Sequence, residues 1–246
     1  MLLQHLFEDI SIAGDRLQFD YGDKTGVSTR MGKKSFQPYL RKDKTLDGYS
    51  VYSVYSSSDE NLTDVLLALK KKSYVKMDPA DYQHFLRRTA IYITAKILGP
   101  LKIDVVVTPR SSTNILNDLL AELQTRNPHI EFLPESYVKT ADISKIQVDR
   151  SHPAITDAIA KTLEGIIRAA QKTGKFEIKK ALPQNRKFFK NFFEVVDPAL
   201  TRKFINQNVC VFDDVLSSGT TVVQIMKDIA VYGPATVAGC VIFKTK

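Results

Sequence analysis

Two adjacent carboxylates, Asp213 and Asp214, follow an apolar run and precede a loop of small hydroxyl and glycine residues. Because ionised carboxylates only accept hydrogen bonds, the pair suits two neighbouring sugar hydroxyls or a metal-bound water. The loop leads into a helical pattern, and backbone amides and hydroxyls at such a place suit one phosphate group. Its candidate ligands are Ser217, Ser218, Gly219, Thr220 and Thr221. The combination predicts a ribose 5-phosphate site, and a Walker-type loop is excluded because no Lys follows Gly219.

A second polar turn follows another apolar run, in the stretch VVVTPRSSTN from residue 105 to 114. Its amides and hydroxyls suit a diphosphate, and Arg110 offers a bidentate guanidinium partner. A plain capped turn is the alternative interpretation of this stretch. The two phosphate-type turns are about 100 residues apart, a spacing that lets an α/β domain hold both ends of one ligand.

The stretch from Val209 to Thr221 resembles the fingerprint of the type I phosphoribosyltransferases, an apolar strand, two acidic residues and a Thr/Ser-Gly-x-Thr loop. The resemblance implies a Rossmann-like parallel sheet flanked by helices, with phosphoribosyl pyrophosphate (PRPP) as donor, a small-molecule acceptor and Mg²⁺ as cofactor. Asp213 and Asp214 would then hold the ribose hydroxyls, and no residue would be a direct metal ligand. The implied 5-phosphate loop comprises Val215, Ser217, Ser218, Gly219, Thr220 and Thr221, and the implied pyrophosphate loop comprises Thr108, Pro109, Arg110, Ser111 and Ser112. A chance Asp-Asp in an ordinary strand-to-helix turn is the alternative.

Residues 172 to 190 contain seven Lys and Arg residues against one Glu and so carry +6 of the net charge of +8. Such a run is often a solvated face, and it also suits a nucleic-acid backbone. In the family that the chain resembles, a mobile loop between core strands brings cations to the leaving pyrophosphate. The resemblance implies Lys179 and Lys180 as candidate catalytic residues, with Arg186 and Lys187 as loop cations.

Fewer residues bear on the branch of the family and on the acceptor. Ser217 stands where 6-oxopurine members carry Asp, which is more similar to the orotate branch and makes a purine acceptor less favoured. The stretch QNRKFFKNFF is similar to the competence-type (ComF-like) branch, whose zinc-binding front end is missing here. His152 is a further candidate base. The alternative function is a non-catalytic PRPP-binding regulatory module that also binds nucleic acid.

The elements that must position these residues alternate between strands and helices from residue 100 onward, which predicts a parallel sheet. Predicted strands cover 103–108, 130–138, 209–212 and 235–243, and predicted helices cover 61–72, 79–98, 112–124, 153–170 and 220–232. We expect an N-terminal α+β extension over 1–95, a candidate hood for the acceptor, and a phosphoribosyltransferase core over 96–246.

Composition limits the remaining classes of protein. Two cysteines exclude a disulfide scaffold and a cysteine-pair zinc site, and 43% hydrophobic residues provide for a large core. No apolar run has the roughly 20 residues of a membrane span, and no secretory signal is recognised, so we expect a cytoplasmic protein without a membrane partner. Dimers are common in the family, which leaves a homodimer open.

Overall fold

A parallel sheet forms the centre of the protein in the computed structural model, which describes residues 9–13, 16–20, 29–30, 46–54, 78–111, 114–216 and 220–245. The strands are β1 (Asp9–Ala13), β2 (Arg16–Asp20), β3 (Thr29–Arg30), β4 (Leu46–Val54), β5 (Val105–Pro109), β6 (Glu131–Lys139), β7 (Gln147–Val148), β8 (Phe189–Lys190), β9 (Phe193–Val195), β10 (Asn208–Leu216) and β11 (Thr236–Thr245). The main sheet has the order β3-β4-β11-β10-β5-β6-β9. Five neighbouring strands from β4 to β6 are parallel, and β3 and β9 run antiparallel at the edges.

Helices cover both faces of this sheet, which confirms the predicted α/β class and the parallel sheet flanked by helices. They are α1 (Pro79–Ile93), α2 (Asn114–Arg126), α3 (Asp157–Thr173) and α4 (Thr220–Ala230). Side chains alternate along each strand, so neighbouring residues enter different cores. Val209 and Val211 pack with α4, whereas Cys210 and Phe212 pack with α1 and α2.

Local sequence signals account for several helix ends. Asp78 caps α1 by accepting a hydrogen bond from the Ala80 amide, and Pro79 occupies the first turn. The predicted end near Leu98 is confirmed, because a π-helical turn at Thr94–Leu98 follows α1 directly. The predicted start of α3 at Pro153 is wrong by four residues, because Thr156 is the residue whose side chain caps the helix.

The N-terminal elements contribute to the same sheet and core. The β4 backbone pairs with β11 from Leu46 to Val54, and Phe85, Leu86 and Ile93 of α1 are buried against α2 and the sheet. The proposed boundary at residue 95 stays a prediction, as does the hood. The helix predicted from Asn61 lies outside the described residues.

A third hydrophobic cluster lies between β6 and β9 in the chain. It joins α3 to the segment around β8 through Leu163, Ile167, Phe188, Phe189 and Phe192. β7 and β8 pair in a separate two-stranded sheet within this insertion. The insertion therefore has a small core of its own, and most of the predicted basic segment is part of it. No helix in the described ranges is long and apolar enough to cross a membrane.

Candidate functional site

The two polar turns predicted from sequence follow neighbouring strands. The chain leaves β5 for β6 on one side and later returns to β10 on the other side, so a topological switch point lies between β5 and β10. Ligands of open α/β sheets bind at the carboxyl ends of the strands beside such a point. Val211 is the last β10 residue paired with β5 and lies opposite Val107, so Asp213 and Pro109 each follow this pair by two residues. The acidic pair and the turn that begins at Thr108 therefore lie at the same edge of the sheet.

Asp213 and Asp214 differ in accessibility, although the sequence predicts equal roles. Asp213 is partly exposed and continues the α4 face of β10, while Asp214 is only 9% exposed and points toward the other face. The Asp214 amide donates a hydrogen bond of 2.8 Å to Asp213 Oδ1, which holds the Asp213 carboxylate against the backbone of the next residue. Asp213 is the carboxylate that a ligand reaches more easily.

The strand that carries this pair is longer than the four residues predicted. β10 continues through the carboxylates to Leu216 because β11 pairs with it as far as Lys244. Val215, assigned to the 5-phosphate loop, therefore belongs to the strand and pairs with Phe243. Ser217, Ser218 and Gly219 lie outside the described residues.

The helix that follows begins where the sequence predicts. Thr220 is the first residue of α4 and is 6% exposed, and Thr221 follows it in a partly exposed position. The positive end of a helix dipole favours an anion at this end. The helix start at Thr220, on which the predicted phosphate site depends, is therefore present in the structure.

Part of the predicted pyrophosphate loop makes hydrogen bonds within the protein. Thr108 is fully buried, and its hydroxyl accepts a hydrogen bond of 2.9 Å from the Glu135 amide. Arg110 donates through its amide to the Tyr137 carbonyl and through Nε to Glu135 Oε2 at 3.1 Å. Pro109 ends the strand and is buried, Ser111 is partly exposed, and Ser112 lies outside the described residues. Arg110, whose side chain is 62% exposed, remains within reach of solvent-borne ligands.

Glu135 is the partner that sequence reasoning missed. It lies in a bulge where the pairing of β5 with β6 shifts, and its φ of 51° is in the left-handed region. The sequence does carry a signal for this bulge, because Pro134 stands inside the predicted strand and cannot donate to a sheet ladder. The bulge turns a carboxylate toward Arg110.

The four cations predicted for the mobile loop, Lys179, Lys180, Arg186 and Lys187, lie in different surroundings in the structure. Lys180 pairs with Glu177 at 3.7 Å, and Lys179 is exposed on the same 3₁₀ turn. Arg186 donates through Nε to the Ala181 carbonyl at 3.1 Å. Lys187 packs over the Phe188 ring and lines a cavity beside α4. The structure does not bring Lys179 or Lys180 into that cavity.

This cavity, which we call the α4 cavity, has a volume of about 310 Å³. Thr220 and Lys187 are the two site residues predicted from sequence that line it, and His152, the further candidate base, lines it as well. The His152 Nδ1 atom accepts a hydrogen bond from the Ala154 amide, so this nitrogen is already engaged. Gln224 and Lys227 also line the cavity and carried no sequence signal beyond their position on one helix.

The donor atoms at the sheet edge fit the predicted cofactor. Mg²⁺ prefers oxygen ligands and commonly keeps several waters, and the carboxylate oxygens of Asp213 and Asp214 are of this type. Within the described ranges, no cluster of three or more His, Cys, Asp or Glu residues could hold a metal. These residues therefore suit a Mg²⁺ ion that takes most of its ligands from a bound substrate and from water.

No protein-family model matches the chain, and a search of curated proteins gave no match.

Proposed function

We propose that the protein is a PRPP-dependent phosphoribosyltransferase that moves ribose 5-phosphate to a nitrogen acceptor, a nucleobase or a related ring, and releases pyrophosphate. The observation that supports the proposal is the parallel pairing of Val211 with Val107, because the acidic pair and the turn after β5 both follow this pair on neighbouring strands. One ligand with a ribose between two phosphate groups can contact both turns at that edge. A type I phosphoribosyltransferase fold is part of the same proposal.

Each turn has a role in this reaction. Asp213 and Asp214 accept hydrogen bonds from the ribose hydroxyls, and the loop before α4 holds the 5-phosphate with Thr220 at the helix start. The turn after β5 contacts the diphosphate through the exposed Arg110 side chain. The Thr108 hydroxyl takes no part, because this side chain is fully buried where it accepts a hydrogen bond from the Glu135 amide.

The transfer breaks the bond from the anomeric carbon to the pyrophosphate oxygen and forms a bond from that carbon to the acceptor nitrogen. Positive charge develops on the sugar ring in the transition state, so positioning and electrostatic stabilisation supply most of the catalysis. Mg²⁺, when bound with PRPP, neutralises charge on the leaving diphosphate. The acceptor nitrogen loses its proton to a base, for which Lys179 and Lys180 are the candidates from sequence.

Pyrophosphate release tests this proposal directly. The protein is incubated with PRPP, Mg²⁺ and a panel of nucleobases and nicotinate-like rings, and pyrophosphate is measured with each. We expect release that depends on one acceptor and falls by well over tenfold in Asp213→Asn, since charge-assisted hydrogen bonds contribute about 1.5–3 kcal/mol each. Asp157→Asn is a matched control, because the Asp157 side chain is 90% exposed at the start of α3.

A second candidate is a PRPP-binding regulatory module without catalysis, and the Arg110–Glu135 pair favours it. A guanidinium paired with a carboxylate at 3.1 Å has less positive charge to offer a leaving diphosphate. Saturable PRPP binding with no pyrophosphate release from any acceptor would support the module. Release with any one acceptor would exclude it.

A further inference from the structure

The α4 cavity lies apart from the proposed PRPP site. One wall is α4 together with Val231, which follows the helix, and the other wall includes the segment 187–193 of the insertion. Neither Asp213, Asp214 nor Arg110 lines it. Its volume of about 310 Å³ is at the lower end of the range for small-molecule sites.

Aromatic side chains form much of the apolar lining. Phe189, Phe192 and Phe193 contribute from the insertion, and Val223 contributes from α4. Phe192 packs edge-on against Phe193 with ring centroids 4.9 Å apart, so the rings hold each other in place. Such a wall suits a flat, apolar ring.

Gln224 contributes a buried acceptor with no partner. Its side-chain amide nitrogen donates to the Phe189 carbonyl, which orients the side chain and leaves Oε1 as the remaining polar atom. Oε1 has no hydrogen-bond partner among the described residues. An unsatisfied buried acceptor is unfavourable, so a ligand that donates an N–H there has an advantage.

The charges at the cavity are unevenly compensated. Asp149 is paired with Lys190 at 2.7 Å, and Asp228 accepts the Tyr137 hydroxyl at 2.8 Å. Lys187 and Lys227 have no carboxylate partner within the described part of the chain. The Tyr137 hydroxyl is neutral and leaves the Asp228 charge in place, so the three lysines of the lining, Lys187, Lys190 and Lys227, exceed its two carboxylates by one charge, which favours an anion.

We propose that the α4 cavity binds a small aromatic anion that carries an N–H donor. The ring lies between the phenylalanines and Val223, the N–H donates to Gln224 Oε1, and the anionic group meets Lys227 and Lys187. This site does not depend on the transfer reaction proposed for the sheet edge. It shares Thr220 with that edge and Lys187 with the loop cations predicted from sequence.

Calorimetric titration of the wild-type chain with three related probes tests the proposal without any substitution. Indole-2-carboxylate has the ring, the N–H and the anion, 1-methylindole-2-carboxylate lacks the N–H, and indole lacks the anion. We expect indole-2-carboxylate to bind tightest and each of the others to bind roughly tenfold more weakly, because each loses one polar contact. Absence of heat with all three, or equal affinity for them, overturns the proposal.

Two substitutions locate the binding at this cavity. Gln224→Met removes the acceptor, and Lys227→Gln removes an exposed ammonium group, so each should weaken indole-2-carboxylate by about tenfold. Lys161→Gln removes an exposed lysine on α3 and is the matched control with unchanged affinity. Thermal melts verify that each variant folds, and wild-type affinity in folded Gln224→Met and Lys227→Gln proteins contradicts the assignment.

Discussion

The Tyr137 hydroxyl donates a hydrogen bond of 2.8 Å to Asp228 Oδ2, joining strand β6 to helix α4 across 91 residues of chain. Tyr137 is fully buried, and burial raises its pKa, with the nearby Asp228 carboxylate as a further cause. Burial also raises the pKa of Asp228, while the hydrogen bond from Tyr137 opposes this rise. This hydrogen bond therefore fixes α4, the helix that begins at the proposed phosphate loop, against strand β6 of the sheet.

Tyr137→Phe should therefore destabilise the protein by about 1–3 kcal/mol near neutral pH, because a partly buried carboxylate loses its donor. Because the pKa of Asp228 is raised in the folded state, its protonated form favours folding, and that contribution is lost as the pH rises through the folded pKa. The substitution raises this pKa further, so its cost should shrink as the pH falls toward the ordinary Asp value of 3.8. Urea unfolding in mild acid and at neutral pH measures the difference.

Tyr92→Phe is the control for that experiment. Tyr92 is a partly buried tyrosine beside the α1–α2 core, and its hydroxyl has no hydrogen-bond partner among the described residues. We expect it to change stability little at either pH. A pH-independent cost for Tyr137→Phe would show that packing, not the bond to Asp228, is what the substitution disturbs.

Arg110→Gln should separate stability from ligand binding. The Arg110–Glu135 pair is exposed, with side chains 62% and 37% accessible, so its loss should cost about 0.5 kcal/mol or less. If Arg110 contacts the diphosphate, PRPP affinity should fall by about tenfold or more. Glu135→Gln should preserve or raise that affinity, because it removes the competing carboxylate.

The control is Arg150→Gln, which removes another exposed guanidinium paired with carboxylates, those of Glu164 and Asp157. It lies in the insertion and should leave PRPP affinity unchanged. Equal PRPP affinity in Arg110→Gln and the wild type would remove Arg110 from the site.

The two cysteines should not react with an aromatic disulfide reagent in the native protein. Cys210 on β10 and Cys240 on β11 are buried in the core that the sheet forms with α1 and α2. Burial raises the pKa of the Cys210 thiol to about 12 and also raises that of Cys240. Because the thiolate is the reactive form, both burial and pKa suppress reaction. Absorbance of the released thiolate should report no reaction in buffer and two thiols per chain in denaturant. Rapid labelling of one thiol in the folded protein would contradict the described core.

The apolar runs predicted the central strands well, because a strand buried on both faces must be continuously apolar. The 105–109 and 236–245 strands were found this way. The pairing of β4 with β11 and of β9 with β6 was not predicted, since both join segments far apart in sequence. Short strands such as Phe193–Val195 have no periodicity to detect.

The candidate site was predicted where a motif follows a strand, and less well where a partner comes from another element. Asp213 and Thr220 could be placed because each is adjacent to a recognisable strand or helix end. Glu135 and Gln224 could not, because their partners Arg110 and Phe189 are brought to them by the fold. The basic segment was interpreted from its charge and from the family resemblance, neither of which shows that its phenylalanines pack on α3 and so determine where its lysines lie.

Calorimetric titration of PRPP with Mg²⁺ into wild-type, Asp213→Asn and Asp157→Asn proteins tests the central proposal most directly. We expect saturable heat in the wild type and the Asp157→Asn control, and at least tenfold weaker binding in Asp213→Asn, because the more accessible carboxylate of the pair loses its charge. No heat with the wild type, or equal affinity in all three proteins, would contradict a PRPP site at the ends of β5 and β10.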